Sequence, residues 1–294
     1  MGYRRVEAAE NEAVTDVAGR AFRFRGADMQ RLMEEGRHRY THENARVWAE
    51  GDEMVAALFA YQRAVTVEGR FLPAGLVGLV SVPPEHRRRG YAFQLMHGLL
   101  REWQAEGVAL SFLYPYNIEF YRRLGYGIAN HAWYLELPLK ELSDFEEARR
   151  VRRLTRDDLS AMQALFERVR PRHNGWLART DFEWQWVLLR EREENQWPRH
   201  REMVGVPGGG GDLRGYLVYT LAAVENPPPG GDPTPVELHV HEWVSADDEA
   251  WRALAGFVAA QRAQAHFMRY TAPVGFPLPL AVRNRETFRD RRQT

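Results

Sequence analysis

Val80-Ser81-Val82-Pro83-Pro84-Glu85-His86-Arg87-Arg88-Arg89-Gly90-Tyr91-Ala92 decides the fold of this chain: an apolar strand runs into a basic, glycine-containing turn that opens a helix. The first turn of a helix carries free N–H groups, the macrodipole adds positive potential there, and neighbouring guanidiniums supply further donors, so such a junction binds phosphate. Gly90 and Ala92 lack bulk and let an anion approach the backbone. An arginine run alone is usually a solvated face. Here strand, turn and helix agree on an anion site.

Downstream of the turn, Leu95, Met96, Leu99, Leu100 and Trp103 recur at helical spacing between Tyr91 and Glu106, and Gly107 supplies a stop. Val108–Tyr114 is apolar and short enough for a buried strand, ended by Pro115, so strand, helix and strand form a crossover unit. Upstream, residues 3–7 read as a strand, and Ala13, Val17, Ala21 and Phe22 give one apolar helix face. Residues 45–49 and 55–62 read as strands turned at Gly51-Asp52, with 64–67 and 76–82 as further extended segments. The fold class expected is α/β (α+β), with mixed, largely antiparallel sheets flanked by helices.

The chain has 294 residues, 45% of them hydrophobic, enough for two cores. Its formal net charge is zero, so no global field steers it to nucleic acid or an anionic membrane, and neither is expected as a partner. There is no cysteine, which excludes disulfides, thiolate metal sites and an acyl-cysteine intermediate. Lys140 is the only lysine. No apolar stretch approaches membrane-spanning length and the N-terminus lacks a signal-peptide core, so a cytoplasmic location is expected.

The charged stretch from Pro138 to Arg153 predicts a boundary between domains at 1–140 and 151–294, with a strand at 131–137 closing the first. The second half repeats the order of elements: a helix near 157–168, strands near 203–206, 215–221 and 236–244, a helix at 249–263 and a strand near 266–271. The glycine run 208–211 and the Pro/Gly-rich segment 226–235 read as loops. Val244-Ser245-Ala246-Asp247-Asp248-Glu249-Ala250-Trp251 reads as a diverged copy of the strand, loop and helix at Val80 with its charge inverted. Asp247, Asp248 and Glu249 would repel a pyrophosphate and cap the following helix instead.

Arg87-x-x-Gly90-x-Ala92 after Val-x-Val-Pro-Pro resembles the pyrophosphate loop of the GCN5-related N-acetyltransferases, which hold acetyl-coenzyme A there. Tyr116-Asn117-Ile118-Glu119-Phe120-Tyr121-Arg122-Arg123-Leu124-Gly125-Tyr126-Gly127 carries the second part of the resemblance. In that superfamily a Phe-Tyr-x-x-x-Gly-Tyr/Phe turn puts a tyrosine hydroxyl near the sulfur of the cofactor, and Tyr121 fits the position. A departing thiolate needs a proton and a phenol carries one at neutral pH, so the resemblance makes Tyr121 the general acid. Packing against Phe120 and Leu124 is the competing reading of Tyr121. Tyr126, between Gly125 and Gly127, suits packing better than proton donation.

These two motifs and the degenerate second half resemble the Eis (enhanced intracellular survival) family, multi-acetylating enzymes of aminoglycosides and other amines. The resemblance implies a catalytic first domain, a silent second domain and a homo-oligomer, a hexamer being the size it suggests. By position it implies that Val80, Ser81 and Val82 meet the pantetheine arm through backbone groups. Arg87, Arg88, Arg89, Gly90, Tyr91, Ala92 and Phe93 would enclose the pyrophosphate, and Tyr116 and Asn117 would flank the cofactor. The implied reaction moves acetyl directly from acetyl-coenzyme A to an amine of a small polycationic, aminoglycoside-like molecule or a peptide, with no metal. A coenzyme-A-binding, catalytically weak sensor or assembly module is the alternative.

The general base is open. Eis-family chains end in a sterol-carrier-like domain whose terminal carboxylate reaches the active site, whereas this sequence ends at Arg291-Arg292-Gln293-Thr294. The strand 76–82 contains no acidic residue. Glu85 and Glu119 read as solvated loop carboxylates; His131, His239, His241, the Thr294 carboxylate and a water are further candidates. His239 and His241 alternate onto one strand face, a spacing that metal sites also use, without an evident third ligand. Phe22 and Phe24 read as core aromatics or as an apolar wall for the acceptor.

Overall fold

β1 (Gly2–Arg5), β2 (Ala45–Glu50), β3 (Glu53–Val67), β4 (Arg70–Ser81) and β5 (Leu110–Leu113) make one sheet, in that spatial order. The first four strands pair antiparallel with their neighbours, while β5 runs parallel to β4 from Ala74 opposite Leu110 to Val77 opposite Leu113. A parallel pair needs a crossover, and α2 (Tyr91–Ala105) provides it. The apolar face read from its spacing is buried: Tyr91, Leu95, Met96, Leu99 and Trp103 pack with Val55, Leu58 and Val77. Each buried leucine there contributes roughly 1.5–3 kcal/mol. The other sheet face is covered by α1 (Asn11–Phe22), whose Val14, Val17 and Ala18 pack with Val47, Ala57 and Phe59. The short α3 (Ile118–Arg122) follows β5.

The computed structural model describes residues 2–24, 28, 31–33, 36, 39–129, 131–188, 201–224, 236–273, 275–277, 281–283 and 289–293. It divides into two compact units, Met1–Gly127 with Asn174–Arg179, and Ile128–His173 with Thr180–Thr294. The return of Asn174–Arg179 to the first unit was not foreseen. β2 pairs with β3 only as far as Phe59, which leaves the distal edge of β3 open. The returning segment covers that edge: the Thr66 N–H donates to the Trp176 carbonyl at 2.9 Å and the Ala178 N–H to the Ala64 carbonyl at 2.8 Å. The two extended segments expected at 55–62 and 64–67 are accordingly one continuous strand.

In the second unit the sheet contains β6 (Ala132–Pro138), β7 (Arg152–Arg153), β8 (Glu202–Pro207), β9 (Leu213–Ala223), β10 (Val236–Ser245), β11 (Phe267–Pro273) and β12 (Arg289–Gln293), ordered β12-β6-β11-β10-β9-β8-β7. Here the boundary expected after residue 140 moves. β6 pairs with β11 and β12, and its Leu135 and Leu137 belong to the second core, so the first unit ends at Gly127. The charged stretch where the boundary was expected holds a 3-10 turn, Glu146–Arg150, within the second unit. α4 (Leu159–Val169) and α5 (Asp248–Ala260) complete that unit. α5 joins the parallel pair β10 and β11, the same connection that α2 makes between β4 and β5. Gly209–Gly211 forms a turn between β8 and β9, while the Pro/Gly-rich segment 226–235 lies outside the described residues.

Candidate active site

Pairing between β4 and β5 ends at Val77 and Leu113, so Gly78–Ser81 continue without a partner strand on that side. On the other side the register slips: Gly78 faces Phe59 and Ser81 faces Ala57, leaving Leu79 and Val80 together opposite Leu58. This is a β-bulge, and Leu79 adopts a positive φ of 48°, rare for a side chain of its size. The Ser81 hydroxyl donates to the Leu79 carbonyl at 2.6 Å and holds the bulge. Backbone strain of this kind, at a strand end without a partner on the β5 side, makes the bulge a candidate functional position.

After β4, Pro84–His86 makes one 3-10 turn, and the chain reaches α2 through Arg88 at φ 63° and Gly90 at φ 82°. Alternating left-handed residues of this kind turn successive N–H groups toward a common point. Gly90 carries no side-chain cap, and the first turn of α2 contains no carboxylate. Its N–H groups therefore face the turn unsatisfied by protein, and the exposed Arg88 has no partner among the described residues. Donors, dipole and guanidinium all fit a pyrophosphate.

The remaining motif residues have more local tasks. Arg87 donates to the Val82 carbonyl at 3.2 Å and to the Ala21 carbonyl at 3.0 Å, so its guanidinium braces the loop against β4 and α1. The Tyr91 hydroxyl donates to Glu50 at 2.6 Å, and the Phe93 ring lies against His97 and beneath the Arg123 guanidinium. Tyr91, Ala92 and Phe93 can serve an anion through backbone N–H groups. His86 is buried and its Nε2 lies 3.0 Å from Glu53, fastening the 3-10 turn to the start of β3. A groove of about 710 Å³ begins at Phe93 and Gln94 and runs along α2 past Trp48, His97 and Arg101.

Tyr121 is 8% exposed and belongs to the buried cluster containing Val77, with Val80 and Val82 packed against it. Asn117 positions it by capping α3, its side chain accepting from the Phe120 N–H at 3.0 Å. The Tyr121 carbonyl accepts from the N–H groups of Leu124 at 2.9 Å and Tyr126 at 3.1 Å, which fixes the turn. Burial, with the Tyr126 phenol beside it, pushes the Tyr121 phenol above its ordinary value. Its hydroxyl has no partner among the described residues, whereas the Tyr126 hydroxyl is joined to Ser111 at 2.5 Å. A free hydroxyl beside the open end of β4 suits proton donation better than a committed one. Tyr116 is 97% exposed and stands apart from this cluster.

Among the base candidates, Glu85 pairs with Arg20, and Glu119 pairs with Arg122 at 2.8 Å. His131 is exposed on the second unit. His239 contacts Glu237 at 3.1 Å, and His241 contacts Thr220 at 2.6 Å. No cluster of three metal-ligating side chains occurs among the described residues. Thr294 lies outside them. Phe22 and Phe24 are exposed and stacked at 5.8 Å, so they are not core. Two features escaped the sequence: the bulge at Leu79, since Leu has no preference for positive φ, and Tyr40, whose ring lies against Gly78.

The copied loop in the second unit has opposite chemistry. Asp247 caps α5, accepting from the Ala250 N–H at 2.9 Å, and forms an ion pair with Arg214 at 3.0 Å. Burial opposes ionisation, but these contacts outweigh it and hold the Asp247 carboxyl below its usual range. The positions where an anion would bind are occupied by the protein's own carboxylate.

Models described as acetyltransferase (GNAT) domain match residues 2–129 and, separately, residues 175–293. An uncharacterised N-acetyltransferase of Streptomyces coelicolor is 26% identical over 194 residues, covering 63% of this chain and 47% of its own length. The chain spans less than half the length of the curated relatives it matches. A GCN5-related N-acetyltransferase structure from Anabaena variabilis superposes with a TM-score of 0.82 at 18% identity, covering 99% of this chain and 70% of that one. Eis1 from Mycobacterium abscessus superposes with a TM-score of 0.78 at 20% identity, covering 100% and 72%. At these identities the likeness is one of fold. Among the described residues no helix is long and apolar enough to cross a membrane.

Proposed function

We propose, from the premise that this chain belongs to the GNAT acetyltransferases, that its first unit transfers acetyl from acetyl-coenzyme A to an amine, and that its second unit is silent toward the cofactor. The observation that carries this reading is the loop from Arg88 to Gly90, where positive-φ residues, an uncapped helix start and a free guanidinium converge. Acetyl-coenzyme A supplies the acyl group as a thioester, so one C–N bond forms and one C–S bond breaks; the ammonium loses one proton to solvent before attack and a second as the amide forms, and that second proton, passed through solvent, restores the phenol that protonates the thiolate.

The turn and the first N–H groups of α2 hold the pyrophosphate. The strand end at Gly78–Ser81, unpaired on its β5 side, offers its backbone to the pantetheine arm, and a backbone N–H of the bulge is the group to stabilise charge on the carbonyl oxygen. Tyr121 gives its proton to the sulfur. Its raised value keeps the phenol protonated through neutral and mildly alkaline pH, so kcat carries no alkaline descent from this group below about pH 10. On the resemblance of the two motifs, the acceptor is an amine of a small polycation or a peptide, the enzyme is a homo-oligomer, and it works in the cytoplasm.

The test is release of coenzyme A over a panel of aminoglycosides and polyamines, for wild type and Tyr121→Phe. A loss of roughly a hundredfold or more in kcat with unchanged acetyl-coenzyme A affinity supports the assignment. Tight cofactor binding with no turnover on any amine makes the protein a coenzyme-A-binding module instead.

A further inference from the structure

The two faces of the first sheet meet at the bulge in β4. Val80 packs against the cluster that holds Tyr121 and α2, whereas Leu79 packs against the cluster that holds α1, with Tyr40 beside it. In the acetyltransferase reading the α2 face is taken by the cofactor arm and its proton donor. The amine therefore has to reach the carbonyl from the α1 face.

Tyr40 stands on that face. Its ring is clamped between two glycines: a Cβ on Gly36 would fall 2.1 Å from Cδ2 of Tyr40, and a Cβ on Gly78 would fall 3.5 Å from Cε1 and 3.7 Å from the hydroxyl oxygen. The edge-on ring of Phe59, 5.2 Å away between centroids, holds it from the side. Gly78 is the first β4 residue beyond the end of β5 pairing and directly precedes the bulge. The phenol thus lies beside the strand at that point, and it is Gly36, where a side chain would collide with the ring, that lets it pack there. The Tyr40 hydroxyl has no hydrogen-bond partner among the described residues and the residue is only half-buried, so its oxygen is free to bond an incoming group in place of water.

We infer that Tyr40 forms the acceptor side of the active site, its phenol oxygen accepting a hydrogen bond from an N–H of the attacking amine and setting the amine in line with the carbonyl at the bulge. This rests on the acetyltransferase reading and goes beyond it by placing the acceptor. β4 contains no carboxylate, and the group assigned to meet the amine is a neutral phenol. Burial raises the phenol above its ordinary value, with Arg39 opposing, and it stays un-ionised at neutral pH. Orientation, rather than proton removal, is its role.

The experiment compares wild type and Tyr40→Phe in coenzyme A release, with spermine and kanamycin as probe amines. Amine is varied at saturating acetyl-coenzyme A, and acetyl-coenzyme A at saturating amine. The expected result is a KM for amine raised roughly three- to tenfold, the loss of one neutral hydrogen bond, with KM for acetyl-coenzyme A and the melting temperature unchanged. Turnover with an amine KM insensitive to Tyr40→Phe overturns this inference alone. Absence of turnover with both probes and with every other amine tried overturns the acetyltransferase reading, and this inference with it.

Discussion

Arg88 lets backbone and side-chain contributions to the anion site be measured separately. It occupies a left-handed conformation with φ 63°. That conformation costs an L-residue about 1–2 kcal/mol, which glycine escapes, while glycine adds about 0.4–1 kcal/mol of unfolded-chain entropy. Arg88→Gly is therefore expected to leave stability between unchanged and about 1.5 kcal/mol higher. Arg88→Ala keeps the left-handed penalty and should match wild type, because the exposed guanidinium has no protein partner to lose. Both variants remove one charge-assisted hydrogen bond to phosphate, about 1.5–3 kcal/mol, which is roughly a 10- to 150-fold rise in Kd. Calorimetric titration with acetyl-coenzyme A and urea unfolding give the two quantities on the same samples. Wild-type affinity in both variants would remove Arg88 from the site. A Gly variant less stable than the Ala variant would refute the backbone assignment.

Two further outcomes follow from the ion pairs. Asp247→Ala should cost about 0.5–2 kcal/mol in urea unfolding through loss of the α5 cap, and should leave acetyl-coenzyme A binding unchanged. Glu102 of α2 pairs with the buried Arg46 of β2 at 2.7 Å and accepts from the Tyr3 hydroxyl. Glu102→Leu removes the ion-pair partner of that guanidinium, leaving it the Glu43 and Ala45 carbonyls, and should destabilise the first unit by about 3–5 kcal/mol. Burial works against the Glu102 charge, but Arg46 and Tyr3 outweigh it and hold the carboxyl below its ordinary 4.5. Its contribution is thus present above pH 4.5 and lost as pH falls through the lower folded value, so wild type and Glu102→Leu should converge in stability toward acid.

The sequence made the strands and helices around Val80 legible because each is short, strongly patterned and locally punctuated. Helical spacing in 91–106 and the apolar run 108–114 required the crossover, and the inverted charges at 247–249 announced a copy with a capped helix. Strand β6 was read correctly as a strand but given to the wrong unit, because alternation specifies a face and says nothing about which sheet supplies partners. The return of Asn174–Arg179 to β3 rests on backbone hydrogen bonds, which leave no mark on side-chain pattern. At the site, the loop and Tyr121 had motif spacing to reveal them. The bulge at Leu79 did not, since its positive φ is imposed by the strand around it and held by Ser81. Tyr40 is separated in sequence from the residues it touches on β3 and β4, and no motif or periodicity marks it.

The most direct test of a working first unit beside a silent second one is the stoichiometry of acetyl-coenzyme A binding, by calorimetry on the full chain. One site per chain is predicted, weakened by Arg88→Ala and indifferent to Asp247→Ala. Two sites per chain, or one that survives Arg88→Ala and responds to Asp247→Ala, would contradict the account.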